Sequence, residues 1–220
     1  MRTFVIGDIH GSYKALLQCL KKAVFNKDKD RLICLGDVCD RGPRVKECID
    51  ELLSIKNCTY LLGNHDVWTL EWAVKGLTIT EWLEQGGFET IDSYKGAGMP
   101  KEHISLLAEA PLWLIDKNRL FLHAGFDVDN GLEKTPKETI VWDRNLLSGA
   151  QLLHRSRPEW KFGGYDEIFV GHTPTLVFNK DTPQKFCNVW AMDTGAGWQG
   201  KLTIMDVDTK EYWQSGSVAV

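Results

Sequence analysis

The chain has 220 residues, 43% of them hydrophobic and 25% charged, with a formal net charge of -4. That length supports one sizeable core, so a single domain over residues 1–220 is expected. The acidic balance excludes a broad cationic stripe for nucleic acid, although it leaves room for a local cationic pocket for phosphate. No run of 18 apolar residues occurs, which argues against a helical membrane span. The N-terminal MRTFVIGDIHG meets Asp8 after only four further residues beyond Thr3, too soon for a signal peptide. The six cysteines, at 19, 34, 39, 48, 58 and 187, form no CxxC pair. They read as buried thiols of a cytoplasmic protein. Of nine tryptophans, most read as core or helix-docking residues, with one or two left to line a cleft.

The first 65 residues repeat one pattern. TFVIG (3–7) is a short apolar run ending in Gly7. A helix is predicted from Ser12, with Leu16, Leu17, Leu20 and Val24 on its apolar face. RLICLG ends at Gly36; Pro43 can open the next helix, with Val45, Ile49, Leu52 and Leu53 inward. CTYLLG ends at Gly63. The order strand–helix–strand–helix–strand predicts two right-handed βαβ units with parallel strands, whose carboxyl-edge loops carry ligands.

The middle of the chain is more helical, over 67–75 and 79–85, until the GG at 86–87 breaks the pattern. Another helix runs from Glu102 to before Pro111. LWLID-KN-RLFLH predicts a hairpin across Lys117 and Asn118, and a turn-rich stretch follows from Asp127 to Thr139. EIFVG (167–171) is a further strand, and NVWAMD, KLTIMDV and EYWQS are expected as antiparallel strands. Because the second half reads as hairpins rather than crossovers, the predicted fold is α/β, a sandwich of two mixed sheets flanked by helices.

Polar residues follow the strand ends with regularity. VIGDIHG supplies Asp8 and His10; CLGDVCDRG supplies Asp37, Asp40 and Arg41; LLGNHD supplies Asn64, His65 and Asp66; LFLHAG supplies His123; FVGHTP supplies His172. Taken alone, each Asp is a turn or cap residue, each His a satisfied core imidazole, and Arg41 a solvated cation. If the strands share one edge, these side chains converge. Clustered carboxylates without cations repel one another and are costly to bury. Mixed Asp, Asn and His donors suit divalent ions, and two such ions about 3.5–4 Å apart can clamp a substrate oxygen and activate a water.

GDIHG, GDVCDRG, GNHD, HAG and GHTP, in this order, resemble the signature blocks of the phosphoprotein phosphatase family of metallophosphoesterases, most of all its short bacterial and bacteriophage members. DTGAGWQGKLTIMDVD resembles the closing block, so the likeness spans nearly the whole chain. The resemblance implies a single calcineurin-like catalytic domain with two divalent metals, manganese first and iron or zinc as alternatives. It implies that Asp8 and His10 bind the first metal, Asp37 bridges, and Asn64, His123 and His172 complete the second. It also implies that His65 is the general acid, held by Asp40, and that Arg41 binds phosphate oxygens. The family carries a second phosphate-binding arginine; IVWDRN points to Arg144, ahead of Arg155 and Arg157. The third block usually ends in glutamate, whereas this chain has Asp66; GWQG at 197–200 also departs from the pattern and places Trp198 near the mouth.

Phosphate monoesters hydrolyse extremely slowly unaided, so charge neutralisation at the phosphoryl group is needed. Two arginines and two cations supply it. The expected reaction is in-line attack by a metal-bridging hydroxide without a phosphoenzyme. A Cys39 nucleophile is not expected, because CDRG places Arg41 only two residues on. Protonated His65 would serve an alkoxide leaving group more than a phenolate. The leading reading is therefore a serine/threonine protein phosphatase with a phosphoprotein or phosphopeptide substrate, extending to phosphotyrosine. The alternatives are hydrolysis of diadenosine tetraphosphate or a nucleotide cap, for which 220 residues leave less room, and a non-catalytic phosphate-binding module. A stable nucleic-acid complex and a membrane partner are not expected.

Overall fold

A computed structural model describes residues 1–218. The first half runs β1 (Thr3–Ile6), α1 (Tyr13–Lys22), β2 (Arg31–Cys34), α2 (Val45–Leu53) and β3 (Asn57–Tyr60). β1 pairs with β2 and β2 with β3, both parallel, as the two predicted βαβ units require. Helix α1 buries Ala15, Leu16, Cys19 and Leu20, whereas Leu17 is exposed. Val24, expected on the same face, lies beyond the helix end in left-handed backbone and is exposed. Helix α2 starts at Val45, two residues after Pro43, and buries Val45, Cys48, Ile49 and Leu52; Leu53 points outward.

The middle region holds α3 (Asn64–Lys75), α4 (Thr80–Trp82), a π turn (Leu83–Gly87), α5 (Phe88–Ser93) and α6 (Lys101–Ala108). The GG pair bends this helical segment instead of ending it: Gly86 takes φ 104 and α5 follows directly. β4 (Trp113–Asp116) and β5 (Arg119–Leu122) form the predicted hairpin, with Lys117 and Asn118 both at positive φ, as a two-residue turn demands. The stretch read as turns contains a 3-10 turn (Leu132–Lys134) and leads into α7 (Lys137–Trp142) and an unanticipated α8 (Asn145–His154). These two helices cross over to β6 (Glu167–Val170), which lies parallel to β5. The second half thus contains a crossover where hairpins were expected.

β7 (Gln184–Phe186), also unanticipated, and β8 (Val189–Ala191) form an antiparallel pair, but β8 lies parallel to β6. β9 (Thr203–Asp206) and β10 (Tyr212–Gln214) are antiparallel and extend the first sheet beside β1. The sheets are ordered β10-β9-β1-β2-β3 and β4-β5-β6-β8-β7.

Alternation along each strand builds the layers. Phe4, Ile6, Leu32 and Cys34 face α1 and α2, while Val5, Ile33 and Leu35 face the second sheet. In that sheet Leu120, Leu122, Ile168 and Val170 face α7 and α8, while Phe121 and Phe169 point inward and stack at 4.8 Å. Burying each such aromatic side chain contributes about 1.5–3 kcal/mol. The result is a helix–sheet–sheet–helix sandwich. Each sheet has three mutually parallel strands, β1-β2-β3 and β5-β6-β8, so six carboxyl ends point their loops toward one region. Among the described residues no helix is long and apolar enough to cross a membrane.

Candidate active site

Those six loops carry Asp8 and His10, Asp37, Asn64, His123, His172 and Asp193, all buried. The six residues predicted as ligands meet at one place. Asn64 Oδ1 lies 2.9 Å from His123 Nε2 and 2.9 Å from His172 Nδ1. Asp37 Oδ2 lies 3.4 Å from His123 Nε2 and 3.8 Å from His10 Nε2. Asp8 joins through both carboxylate oxygens, which accept the His172 backbone N–H at 3.2 and 3.0 Å.

The histidine tautomers are set from outside the cluster. His10 Nδ1 donates to the Cys39 carbonyl at 2.8 Å, and His123 Nδ1 donates to the Leu35 carbonyl at 2.7 Å. Each Nε2 is thereby turned toward Asp37, the orientation a metal-ligating imidazole needs. The backbone is strained to bring these groups in: His10, Asp37, Asp40, Arg41 and His172 all adopt left-handed conformations. Gly63 is extended at φ -101. Its role is space, since a Cβ there would overlap the Asp37 carboxylate.

The donor set fits divalent cations. Separations near 3 Å between Asn64 Oδ1 and two imidazole nitrogens are those of ligands sharing one ion at about 2.1 Å. His172 Nε2 is buried without a hydrogen-bond partner. Burial and Asp193 push the Asp8 carboxyl well up, while burial and Asp37 hold Asp193 at about 6. Burial and neighbouring His65 push His10 down to about 3; burial and His123 push His172 to about 3. Burial alone would lower His123, yet Asp37 raises it to about 10. Burial would raise Asp37, but His123 and His65 bring it below the usual carboxylate range. Three buried carboxylates thus face imidazoles of which two are held neutral, a deficit of positive charge that a divalent ion fills.

Asn64, His65 and Asp66 form the first turn of α3, so successive side chains diverge by the helical rotation. His65 donates its backbone N–H to Asp37 Oδ1 at 3.0 Å, and its ring Nδ1 bonds Asp40 Oδ2 at 2.7 Å. Asp40 is wholly buried, and burial raises its carboxyl. It is also held by Trp82 Nε1, which donates to Oδ2 at 2.8 Å, and by the Thr90 hydroxyl, which donates to Oδ1 at 2.6 Å. Thr90 Oγ1 in turn accepts the Asp40 backbone N–H at 2.8 Å. Asp66 does not enter the ligand cluster. Its Oδ2 accepts from the backbone N–H groups of Asp37 and Gly63, both at 2.9 Å, and from the Tyr60 hydroxyl at 2.7 Å.

A cavity of about 400 Å³ opens over the cluster, lined by His10, Asp37, Asn64, His65, His172 and Asp193 beneath and by Arg41, Arg144, Trp142 and Trp198 around the rim. Arg41 Nη2 lies 3.4 Å from His65 Nε2, and its guanidinium stacks on Trp198 at 4.0 Å. Arg144 donates to Thr173 Oγ1 at 3.5 Å. Arg155 and Arg157 do not line the cavity. Sequence reasoning assigned no role to Asp193, Trp82 or Thr90. Asp193 had a visible signal, an acid directly after the NVWAM run, but no glycine precedes it as one precedes Asp8, Asp37 and Asn64.

Residues 1–196 match the sequence profile of the calcineurin-like phosphoesterases. The chain is 30% identical over 211 residues to serine/threonine-protein phosphatase 1 of Salmonella typhimurium, covering 91% of this chain and 89% of that one. It is 24% identical over 281 residues to a symmetrical bis(5'-nucleosyl)-tetraphosphatase of Pasteurella multocida, covering 99% and 98%. A solved structure provisionally described as a diadenosine tetraphosphatase shares the fold with TM-score 0.74 at 17% identity, over 99% of this chain and 94% of that one. The strand-end cluster, the two-sheet sandwich and these matches agree that the chain belongs to the calcineurin-like phosphoesterase family, with candidate ligands for divalent metal.

Proposed function

We propose that the protein is a cytoplasmic serine/threonine protein phosphatase that hydrolyses phosphate monoesters with two divalent cations, manganese first among them. Asp8, His10 and Asp37 would hold one cation, and Asp37, Asn64, His123 and His172 the other. Bound there, the cations supply Lewis-acid neutralisation of phosphoryl charge and an acidified water. Arg41 and Arg144, which both line the cavity, bind and orient the phosphoryl oxygens. His65, kept in one ring orientation by Asp40, gives the proton on Nε2 to the leaving oxygen. Trp142 and Trp198 narrow the mouth and limit water.

The observation that carries this reading is the His65–Asp40 contact at 2.7 Å with Arg41 Nη2 3.4 Å from His65 Nε2. It sets the ring Nε2, which accepts from Arg41 here, where a proton carried on it would face the phosphoryl group that Arg41 binds. A donor matters most when the leaving group is a basic alkoxide, as from serine or threonine. The tetraphosphatase relative keeps dinucleotide hydrolysis as the second reading. The test is metal-replete enzyme assayed on phosphoserine, phosphothreonine and phosphotyrosine peptides and on diadenosine tetraphosphate. Seryl and threonyl peptides should have the highest kcat/KM; exclusive cleavage of the dinucleotide overturns the phosphatase reading.

A further inference from the structure

A second cavity, of about 620 Å³, adjoins the first. Arg41, Gln85, Leu176 and Trp198 line both, so the two share a wall. Apart from Arg41 on the shared wall and the amides of Gln85 and Gln199, the walls of the second cavity are apolar and acidic. Leu83, Phe88, Leu176 and Trp198 supply carbon surface, and Phe88 and Trp198 are 61% and 51% exposed. Arg41 covers one part of the Trp198 indole at 4.0 Å, and half of that side chain still faces solvent. Glu84 and Glu89 stand on the same wall, with no ion-pair partner among the described residues. They belong to the segment from Thr80 to Ser93, TEWLEQGGFETIDS, which carries Glu81, Glu84, Glu89 and Asp92 and no lysine, arginine or histidine.

The charge balance discriminates between substrate classes. Apart from histidines and the divalent ions the cluster would hold, the two cavities together present, among the described residues, only Arg41 and Arg144 as cations. Those two suit one phosphoryl group. A dinucleoside tetraphosphate would run its remaining phosphates past Glu84 and Glu89 with no further cation to receive them. A peptide carrying one phosphate and a basic neighbour has the complementary pattern. Each extended residue spans about 3.3–3.6 Å, so a side chain one or two residues from the phosphorylated one reaches a cavity that shares a wall with the first.

Resting on the phosphatase reading above, we propose that the second cavity is a substrate subsite for an arginine or lysine flanking phosphoserine or phosphothreonine. The aliphatic stem lies on Phe88 and the open part of Trp198, and the cationic head meets Glu84 and Glu89.

The test uses phosphoserine peptides with arginine, alanine or glutamate placed at each of the two positions on either side of the phosphoserine. Diadenosine tetraphosphate is run in parallel. The readout is the ratio of kcat/KM between arginine- and alanine-flanked peptides within one enzyme, which is independent of how much of a variant folds. At least one position should give a ratio of roughly 3- to 20-fold for arginine, falling as salt is added. The ratio should approach one in Glu84→Gln/Glu89→Gln and turn in favour of glutamate-flanked peptides in Glu84→Lys/Glu89→Lys. A native ratio near one at every position refutes the subsite and leaves the phosphatase reading standing. So does a ratio that survives the glutamine pair. Cleavage of diadenosine tetraphosphate with no peptide turnover overturns both.

Discussion

Asp66→Ala is the sharpest perturbation of the site that touches no metal-ligand side chain. Asp66 is wholly buried, and its Oδ2 collects three donors: Asp37 N–H, Gly63 N–H and the Tyr60 hydroxyl. These tie the loop after β2 to the loop after β3, the two that bring Asp37 and Asn64 together. Hydrogen bonds to a charged acceptor contribute roughly 1.5–3 kcal/mol each, and buried donors left unpaired cost as much. Because the three share one oxygen they are not additive, and water entering the space left by alanine recovers part of the loss. A net loss of about 3–6 kcal/mol follows, out of roughly 5–15 kcal/mol for a whole domain. In a chain of this size that lowers Tm by roughly 10–20 °C. Asp66→Asn keeps an acceptor oxygen in place and should lose about half as much. Losing the brace on the Asp37 backbone should also weaken manganese binding about 10- to 100-fold. Urea denaturation and calorimetric metal titration measure both. If alanine costs less than about 1 kcal/mol, or if stability falls while manganese affinity is unchanged, Asp66 does not organise the ligand loops.

Three further outcomes follow from the site geometry. Asp37→Asn should abolish metal-dependent turnover and weaken manganese binding, because Asp37 contacts His10, His123 and the His65 backbone; substantial residual activity would place the ion elsewhere. His65→Asn should reduce kcat on phosphoserine peptides by roughly 10²- to 10⁴-fold while p-nitrophenyl phosphate, whose leaving group needs no proton, loses far less; equal losses would show that His65 is no acid. Thr90→Val removes the hydroxyl that bonds both the backbone and the carboxylate of Asp40, and should lower kcat on seryl substrates about tenfold with little change in KM. If aryl and alkyl phosphates suffer alike, Thr90 supports the fold and not the orientation of the dyad.

The first two strands were legible because they are buried on both faces. FVI (4–6) and LICL (32–35) are unbroken apolar runs, and each is followed by a glycine and then a polar residue. That punctuation named Asp8, Asp37, Asn64 and His172, and LFLH gave His123. It passed over Asp193, where the polar residue follows Met192 directly and the glycine comes only at 195. β7 escaped because QKF is a three-residue edge strand, too short to show alternation. Helix α8 escaped because its start, Asn145, sits inside a polar stretch that reads as turn chemistry. The partners of Asp40 were beyond reach for a different reason. Trp82 and Thr90 lie more than 40 residues away in sequence, and neither a tryptophan nor a threonine on a helix signals a buried acceptor.

On the proposed reading, the helical segment from Thr80 to Ser93 would join catalysis to substrate choice. Its inner face holds the acid dyad through Trp82 and Thr90, and the Gly86 carbonyl accepts the Arg41 backbone N–H at 3.1 Å. That contact is possible because Gly86 has no Cβ, which would overlap the Arg41 backbone, and because glycine tolerates φ 104. Its outer face presents Glu84, Phe88 and Glu89 to the second cavity. The bend at Gln85 and Gly86, where the backbone leaves helical geometry, makes both faces available at once, since it reorients the chain between Trp82 and Phe88. Substitutions on the inner face should therefore change the dependence on leaving group, and substitutions on the outer face the dependence on flanking residues. A substitution at Gly86 should change both, because it moves Arg41 and the bend together.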